Sequence, residues 1–155
     1  MAVEIEHKYL LKHNLWKEVI PHKSSDIKQA YISTDPHKTI RVGTNGEKGY
    51  ITIKGKNSGA SRLEFEYEIP LGDAEHLIEN FTTNLIEKTR HYIVFAEKTW
   101  EVDEFKGANK GLFVAEIELL TEDERYELPP WIGDNITADQ KYANSNLSLK
   151  PFSTW

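Results

Sequence analysis

The sequence of 155 residues contains no cysteine. This absence excludes disulfide bonds, thiolate metal ligands and cysteine nucleophiles, and it is compatible with a protein of the cytoplasm. The sequence also lacks an apolar run long enough to span a bilayer, and its first residues are acidic rather than basic. We therefore expect neither a membrane partner nor a secretory signal. The length suits one domain, residues 1–155, with a core of its own.

Positive charge is in deficit, because 19 lysines and arginines face 25 aspartates and glutamates and leave a formal net charge of −6. An acidic balance of this kind is not the profile of a nucleic-acid binder, so we expect no nucleic-acid partner. The six histidines show no metal-binding spacing. The glycines of GTNGEKG, residues 43–49, lack the spacing of a phosphate-binding P-loop, and we interpret that segment as a hairpin turn.

What the sequence does contain is a repeated alternation of charged and apolar residues. Successive side chains of a β-strand point to opposite faces. In VEIEHKYL, residues 3–10, Glu4, Glu6 and Lys8 therefore share one face of a predicted strand. The same alternation predicts strands in five later segments, which are YITIKG (50–55), SRLEFEYEIP (61–70), EKTRHYIVF (87–95), TWEVDEF (99–105) and LFVAEIELL (112–120).

Four short helices are predicted between and after the strands. The first covers about residues 12–20, and the second covers residues 72–81 with Asp73 as its cap. Capping-box spacing predicts a third helix from Thr121 to before Pro129 and a fourth from Thr137. Closely spaced strands with few helices favour a mainly β (α+β) fold, with an antiparallel sheet closed or nearly closed into a barrel.

The charged strand faces permit two arrangements. In the first, the charges face water and the apolar faces meet in a sandwich core, which composition alone favours. In the second, the strands close around a charged, water-filled interior. The second arrangement would support chemistry, because carboxylates two residues apart present oxygen ligands that suit Mg²⁺ or Mn²⁺. Arginines and lysines on neighbouring strands would bind a polyanion, and phosphoryl transfer needs both kinds of group.

An ordered set of motifs runs through nearly the whole chain. In order they are EIEHK, QAYIST, TIRV, YITIKG, SRLEFEYEI, EKTR, WEVDEF, VAEIEL, PPWIG and DQKYANSNL. This set resembles the CYTH superfamily, also called triphosphate tunnel metalloenzymes, in its short bacterial single-domain form. The resemblance implies an eight-stranded antiparallel β-barrel tunnel with a few flanking helices and a charged lumen.

The resemblance also implies roles for individual residues. The residues implied to hold the triphosphate are Lys8, Arg41, Lys54, Arg62, Lys88, Arg90 and Lys141, the last closing over the site. The residues implied to serve the divalent metals, Mg²⁺ or Mn²⁺, are Glu4, Glu6, Glu64, Glu66, Asp103, Glu116 and Glu118. Lys8 and Tyr31 correspond to a pair that is thought to handle protons in some relatives.

The sequence departs from the family pattern at one position. Many members carry a second arginine two residues after the first, whereas Gly43 stands two residues after Arg41 here. The chain either binds the phosphates with one cation fewer or takes that cation from Lys48 or Lys56.

The first functional interpretation is a metal-dependent hydrolase that cleaves inorganic tripolyphosphate to pyrophosphate and phosphate. Mg²⁺ or Mn²⁺ would bridge phosphate oxygens and orient the attacking water. The alternatives within the family are an adenylate cyclase, a thiamine triphosphatase or a nucleoside triphosphatase. A further alternative is a non-catalytic module that binds polyphosphate or nucleotides; retention of Glu116 and Glu118 favours catalysis over it. A homodimer is compatible with apolar strand faces that point outward.

Overall fold

The computed structural model describes residues 3–155, which contain nine strands and three α-helices. The strands are β1 Val3–Leu11, β2 Lys23–Ser33, β3 Lys38–Thr44, β4 Gly49–Gly55, β5 Ser61–Ile69, β6 Leu85–Phe95, β7 Lys98–Phe105, β8 Phe113–Glu118 and β9 Ile132–Asn135. The α-helices are α1 His13–Trp16, α2 Leu71–Phe81 and α3 Asn144–Leu149. Single 3-10 turns lie at Gly107–Asn109, Gln140–Tyr142 and Phe152–Thr154. Among these residues, no helix is long and apolar enough to cross a membrane.

Eight strands form a closed antiparallel barrel. Their order around the barrel is β1, β5, β4, β3, β2, β6, β7, β8 and back to β1, and β9 lies outside it on β1. Closure depends on β1, which pairs with β5 near its start and with β8 further along, as in Glu4↔Arg62 and Lys8↔Glu116. The predicted eight-stranded antiparallel barrel is therefore confirmed, and the ninth strand is an addition that the sequence pattern did not predict.

The outward faces of β1, β6, β7 and β8 form the larger of two apolar clusters. Trp100 at its centre is completely buried, and Tyr9, Val102, Ile117 and Trp131 pack with it. Helix α1 and the segment 119–131 cover this cluster. Full burial of each such side chain contributes about 1.5–3 kcal/mol, so this covered wall is a main source of stability. The outward residues of β4 and β5 are less covered, and Phe65 is 42% exposed.

The smaller apolar cluster closes part of the barrel interior. Ile86, Phe105 and Val114 point to the same side of their strands as the charged residues two positions away on each strand. Leu147 of α3 packs against these three side chains and is almost fully buried. The interior therefore has an apolar part beneath α3 and a charged part beyond it.

Two of the predicted helices differ from the structure in length or cap. Helix α1 covers only His13–Trp16 rather than residues 12–20, and its N-cap residue makes no side-chain cap bond. Helix α2 matches the prediction closely, but Pro70 rather than Asp73 is its N-cap residue. Asp73 lies in the first turn instead, where a negative charge is favourable beside the positive end of the helix dipole.

The two capping-box predictions were wrong about where helices begin. The segment after Thr121 makes a turn and then has no regular secondary structure. The Glu124 carboxylate accepts from the amide of Leu120 and pairs with Lys98 on the outer face of β7. Thr137 does not start a helix either. Its hydroxyl oxygen accepts a 3.0 Å hydrogen bond from the amide of Lys8, and α3 begins only at Asn144. Tertiary partners outside the local segment decide both cases.

Candidate functional site

A polar cavity of about 200 Å³ lies inside the barrel, and we call it the charged chamber. The cations that line it come from five strands and are Lys8, Arg41, Lys54, Arg62 and Arg90. The carboxylates that line it are Glu4, Glu6, Glu64, Glu66, Glu101, Glu116 and Glu118. The structure thus brings together five of the seven predicted triphosphate-binding residues and six of the seven predicted metal-binding residues, and Tyr31 lines the same chamber.

Strand register explains why residues so distant in sequence meet here. Lys8 lies opposite Glu116 across β1 and β8, and Glu6 lies opposite Glu118. Tyr31 lies opposite Arg41 across β2 and β3. Each of these side chains occupies the inward position of its strand, so closing the barrel places them on one wall after another of the same chamber.

Lys8 is held as a cation by loose contacts with two carboxylates. Its Nζ lies 3.6 Å from Oε1 of Glu6 and 3.8 Å from Oε1 of Glu116. Burial by itself would lower the pKa of Lys8, but Glu116 and Glu6 outweigh it and raise that pKa above the ordinary value. Because both contacts are longer than a hydrogen bond, the ammonium keeps donors available for a phosphate oxygen.

Lys54 connects two of the carboxylates. Its Nζ donates to Oε1 of Glu4 at 2.9 Å and lies 3.2 Å from Oε2 of Glu64. The pKa of Glu4 is nevertheless raised, first by burial and then by the neighbouring Glu64, against the attraction of Lys54. Two carboxylates therefore share one lysine, and the pair retains unbalanced negative charge.

The remaining carboxylates add to this excess. Burial raises the pKa of Glu118, and the charges of Glu4, Glu64 and Glu6 raise it further. Burial also raises the pKa of Glu116, with Glu6 as the next contributor. Five cationic and seven carboxylate side chains give the chamber a formal excess of two negative charges.

This donor set fits a divalent cation. Glu4, Glu6, Glu64 and Glu118 offer carboxylate oxygens, which are the ligands that Mg²⁺ or Mn²⁺ prefers. One divalent ion would also neutralise the negative excess of the chamber. Within residues 3–155, no three such groups already converge on one point as a finished metal site. Lys54 contacts Glu4 and Glu64 instead, so a metal ion bound by these two carboxylates would have to displace that lysine.

Lys88 and Asp103 do not line the charged chamber, although the resemblance assigned them to phosphate and metal. Both side chains are fully buried, with Lys88 Nζ 2.7 Å from Oδ2 of Asp103. Asp103 also accepts two hydrogen bonds from Arg90, at 2.8 Å from Nε and 2.9 Å from Nη2. Burial lowers the pKa of Lys88 to about 8. Burial would raise the pKa of Asp103, but Arg90 and Lys88 hold it well below its usual range.

The position of Lys88 follows from its neighbours on β6. Ile86, two residues earlier, belongs to the apolar cluster under α3, and the ring of Phe105 lies 5.4 Å from Lys88 Nζ. Arg90, two residues later, reaches the chamber. Lys88 therefore lies at the boundary between the apolar part of the interior beneath α3 and the charged part. Its ion pair holds Asp103 in place, and Asp103 in turn orients Arg90.

Lys141 also lies away from the charged chamber. Its Nζ is 4.6 Å from the ring centroid of Trp155 and 5.2 Å from that of Tyr142, on the outer surface. The two lysines considered as substitutes for an arginine at position 43 do not line the chamber either. Lys48 pairs with Glu68 at 3.5 Å, and Lys56 is exposed. Neither lysine therefore takes the place of an arginine at position 43 in the lining of the charged chamber.

Glu101 is the main lining residue that was not among the predicted site residues. Its Oε2 lies 2.6 Å from Nη1 of Arg90, and burial raises its pKa to about 7. Glu101 shares the inward face of β7 with Asp103, so the strand alternation already contained the signal. Asn144 and Ser145 at the start of α3 also line the chamber, and no strand pattern identifies them.

A second cavity of about 260 Å³ adjoins the first, and we call it the far chamber. Both chambers share the lining residues Arg41, Glu66, Arg90 and Glu101. Beyond these four, the far chamber is lined by uncharged residues, which include Ile27, Gln29, Gly43, Tyr50 and Tyr92. The interior is therefore divided into a charged part and a largely neutral part.

Comparison with known proteins gives matches over nearly the whole chain. The family model for the CYTH domain matches residues 2–150. A protein named inorganic triphosphatase from Acetivibrio thermocellus is 43% identical over 156 residues, covering 100% of this chain and 99% of the relative. A second inorganic triphosphatase, from Nitrosomonas europaea, is 31% identical and covers 79% of this chain and 83% of the relative. The crystal structure of the inorganic triphosphatase NE1496 aligns with a TM-score of 0.65 at 28% identity, covering 96% of each chain.

Proposed function

This chain belongs to the CYTH domain family, and from that premise we propose that it is a hydrolase of inorganic triphosphate. Water adds across one phosphoanhydride bond of tripolyphosphate, and pyrophosphate and phosphate leave. The observation that carries this proposal is the charged chamber, in which cations from five strands and a surplus of carboxylates surround a cavity of about 200 Å³. Such a chamber supplies positioning and charge neutralisation, which are the main requirements of phosphoryl transfer.

The cations of the chamber would bind the phosphate oxygens. Arg90 is already oriented by Asp103, so its fork meets the substrate without a large loss of side-chain freedom. Lys8, held protonated by Glu6 and Glu116, would act as a fixed positive charge on the phosphate chain. The hydroxyl group of Tyr31, on the facing wall, would donate a hydrogen bond to a phosphate oxygen. A raised pKa favours the charge-binding role of Lys8 over that of a proton acceptor.

The carboxylates would hold Mg²⁺ or Mn²⁺. We assign this role to Glu4, Glu6, Glu64, Glu116 and Glu118, with Glu66 further along the same wall. When bound, the ion neutralises phosphate charge and lowers the pKa of coordinated water. Displacement of Lys54 from Glu4 and Glu64 would at the same time release that lysine for the substrate.

Substrate choice separates this proposal from its rivals within the family. Tripolyphosphate is expected to have a kcat/KM at least about tenfold larger than ATP, or 1.4 kcal/mol of transition-state stabilisation, because the chamber offers its charged contacts to phosphate alone. The measurement is kcat/KM for tripolyphosphate, ATP and thiamine triphosphate under one metal ion and one pH, with identification of products. Faster turnover of ATP, or cyclic AMP among the products, would favour a nucleoside triphosphatase or a cyclase instead.

Ligand-dependent stability separates specific binding from general screening. Tripolyphosphate at about 100 times its Kd is expected to add about 2.7 kcal/mol to the free energy of unfolding and to raise Tm by several degrees. Orthophosphate at equal ionic strength is expected to change Tm much less, because it spans few of the cations. Equal shifts for both anions would contradict a dedicated site. A large shift without hydrolysis would support the non-catalytic binding module.

A further inference from the structure

The boundary between the two chambers consists of two ion pairs. Arg90 Nη1 lies 2.6 Å from Oε2 of Glu101, and Arg41 Nη2 lies 3.7 Å from Oε2 of Glu66. All four side chains line both chambers. Each of the two arginines that reach the far chamber is therefore already accompanied by a carboxylate at the point of entry.

The far chamber contains no further cation among the described residues that line it. A phosphate group placed in the charged chamber can contact Lys8, Lys54 and Arg62, whereas one placed beyond Arg90 would lose these partners. It would instead meet the carboxylates of Glu66 and Glu101. Charge repulsion across a partly buried space is strong, because water screens it incompletely. The far chamber has room for another phosphate, with about 260 Å³, so size alone does not exclude one.

The other onward direction is narrow. A small cavity of about 40 Å³ borders the charged chamber beside Glu4, Glu6, Lys8 and Arg62. It also includes Asp139, another carboxylate. A phosphate chain longer than the charged chamber would therefore have to extend toward Glu101.

We propose that Glu101 is a specificity-determining residue that limits the substrate to short inorganic polyphosphates by repelling the phosphate that would follow the Arg90 contact. Glu66 on the opposite wall supports this action. Glu101 is the stronger element, because its side chain is less exposed to screening by water than that of Glu66 and because it faces Glu116 across the strand pair β7–β8. The proposal rests on the proposed function, since it concerns which linear polyphosphates the same site accepts.

The test compares linear tripolyphosphate with linear tetrapolyphosphate above neutral pH, where the Glu101 carboxyl group is ionised. The wild-type protein is expected to favour tripolyphosphate in kcat/KM by at least about tenfold, the effect of 1.4 kcal/mol of repulsion. In Glu101→Gln the preference for tripolyphosphate is expected to fall at least about fivefold, because kcat/KM for tetrapolyphosphate rises. Glutamine retains an oxygen that accepts from Arg90, so the variant removes the charge while it preserves the contact.

A matched control lies three residues along the same strand. Glu104 faces outward and contacts His91 at 3.0 Å, so Glu104→Gln removes the same charge without touching either chamber and should leave the preference unchanged. If Glu101→Gln does not fold, Glu66→Gln is expected to lower the preference for tripolyphosphate over tetrapolyphosphate as well.

The outcomes distinguish this proposal from the one that it rests on. A wild-type protein that hydrolyses neither polyphosphate would refute the proposed function. Equal wild-type kcat/KM values for the two polyphosphates would refute the role of Glu101 while leaving triphosphate hydrolysis intact. Equal losses of kcat/KM on both substrates in Glu101→Gln would also refute that role, because they would show that Glu101 only positions Arg90.

Discussion

Replacing Asp103 with asparagine is expected to lower the free energy of unfolding by about 3–5 kcal/mol, the cost of breaking a buried ion pair by removing one partner. Asp103 is 1% exposed and is the carboxylate that Lys88 and Arg90 share. Asparagine would leave Lys88, which is completely buried, without a negative partner within contact distance. For a chain of this size, we expect a fall in Tm of roughly 10 °C.

The stability measurement should be made at neutral pH. Because the pKa of Asp103 is lowered on folding, its contribution is fully present above its unfolded value of 3.8 and is lost only as the pH falls through the lower folded value. Glu104→Gln is the control for loss of one carboxylate from β7, and its exposed contact with His91 is worth less than about 1 kcal/mol. A Tm of Asp103→Asn equal to that of Glu104→Gln would show that the buried cluster is not a structural anchor.

Activity should fall in the same variant for a second reason. Arg90 donates two hydrogen bonds to the Asp103 carboxylate, which fix its guanidinium from behind, and Glu101 contacts it from the side. Loss of the first partner would leave the guanidinium of Arg90 without its fixed orientation at the charged chamber. The losses of stability and of activity in Asp103→Asn therefore have one origin, because the cluster of Lys88, Asp103 and Arg90 both stabilises the fold and holds the arginine at the cavity.

The inward and outward faces of the strands could be predicted from the sequence because a strand has a fixed period of two. Glu4, Glu6 and Lys8 reach the charged chamber as the alternation of β1 requires, and Glu116 and Glu118 do so from β8. The same rule would also have identified Glu101. What alternation could not settle was whether the charged faces point to water or to an interior, since that depends on closure between β1 and β5.

Depth along the barrel was not predictable from the strand pattern. Lys88 and Arg90 are two residues apart on one face, yet Lys88 is buried beside Phe105 while Arg90 lines the chamber. The difference arises from α3, whose Leu147 fills the interior next to Ile86. A helix near the end of the chain thus decides how far the charged cavity extends, and no local periodicity encodes that contact.

Local helix signals failed where a side chain found a distant partner. Thr121 and Glu124 have capping-box spacing, but Glu124 pairs with Lys98 of β7 instead. Thr137 bonds to the backbone of β1 rather than to a helix of its own. Lys141 likewise rests on Trp155, an aromatic partner in the C-terminal segment. Each departure reflects a contact between segments far apart in the chain.

Replacing Glu118 with glutamine is expected to lower the rate of triphosphate hydrolysis at least about a hundredfold, or roughly 2.7 kcal/mol, with the fold intact. Glu118 lies opposite Glu6 on the wall where carboxylates outnumber cations, and Glu4, Glu64 and Glu6 all raise its pKa. Glutamine preserves its shape but removes a charged oxygen ligand. The measurement is the rate over a range of Mg²⁺ and Mn²⁺ concentrations, and a near-normal rate at ordinary concentrations would contradict a metal role.

The thermal stability of Glu118→Gln provides an independent check, because it is expected to stay the same or to rise while the rate of hydrolysis falls. A carboxyl group whose pKa is raised on folding makes the folded state less stable as the pH rises above the unfolded value of 4.5. Without metal, Glu118→Gln is therefore expected to unfold at the same temperature as wild type or higher. With metal, wild type should gain stability by mass action and the variant should gain less. A variant that is both slower and less stable without metal would indicate a structural role for Glu118, whereas the expected combination identifies a carboxylate kept at a cost to stability for the sake of a bound cation.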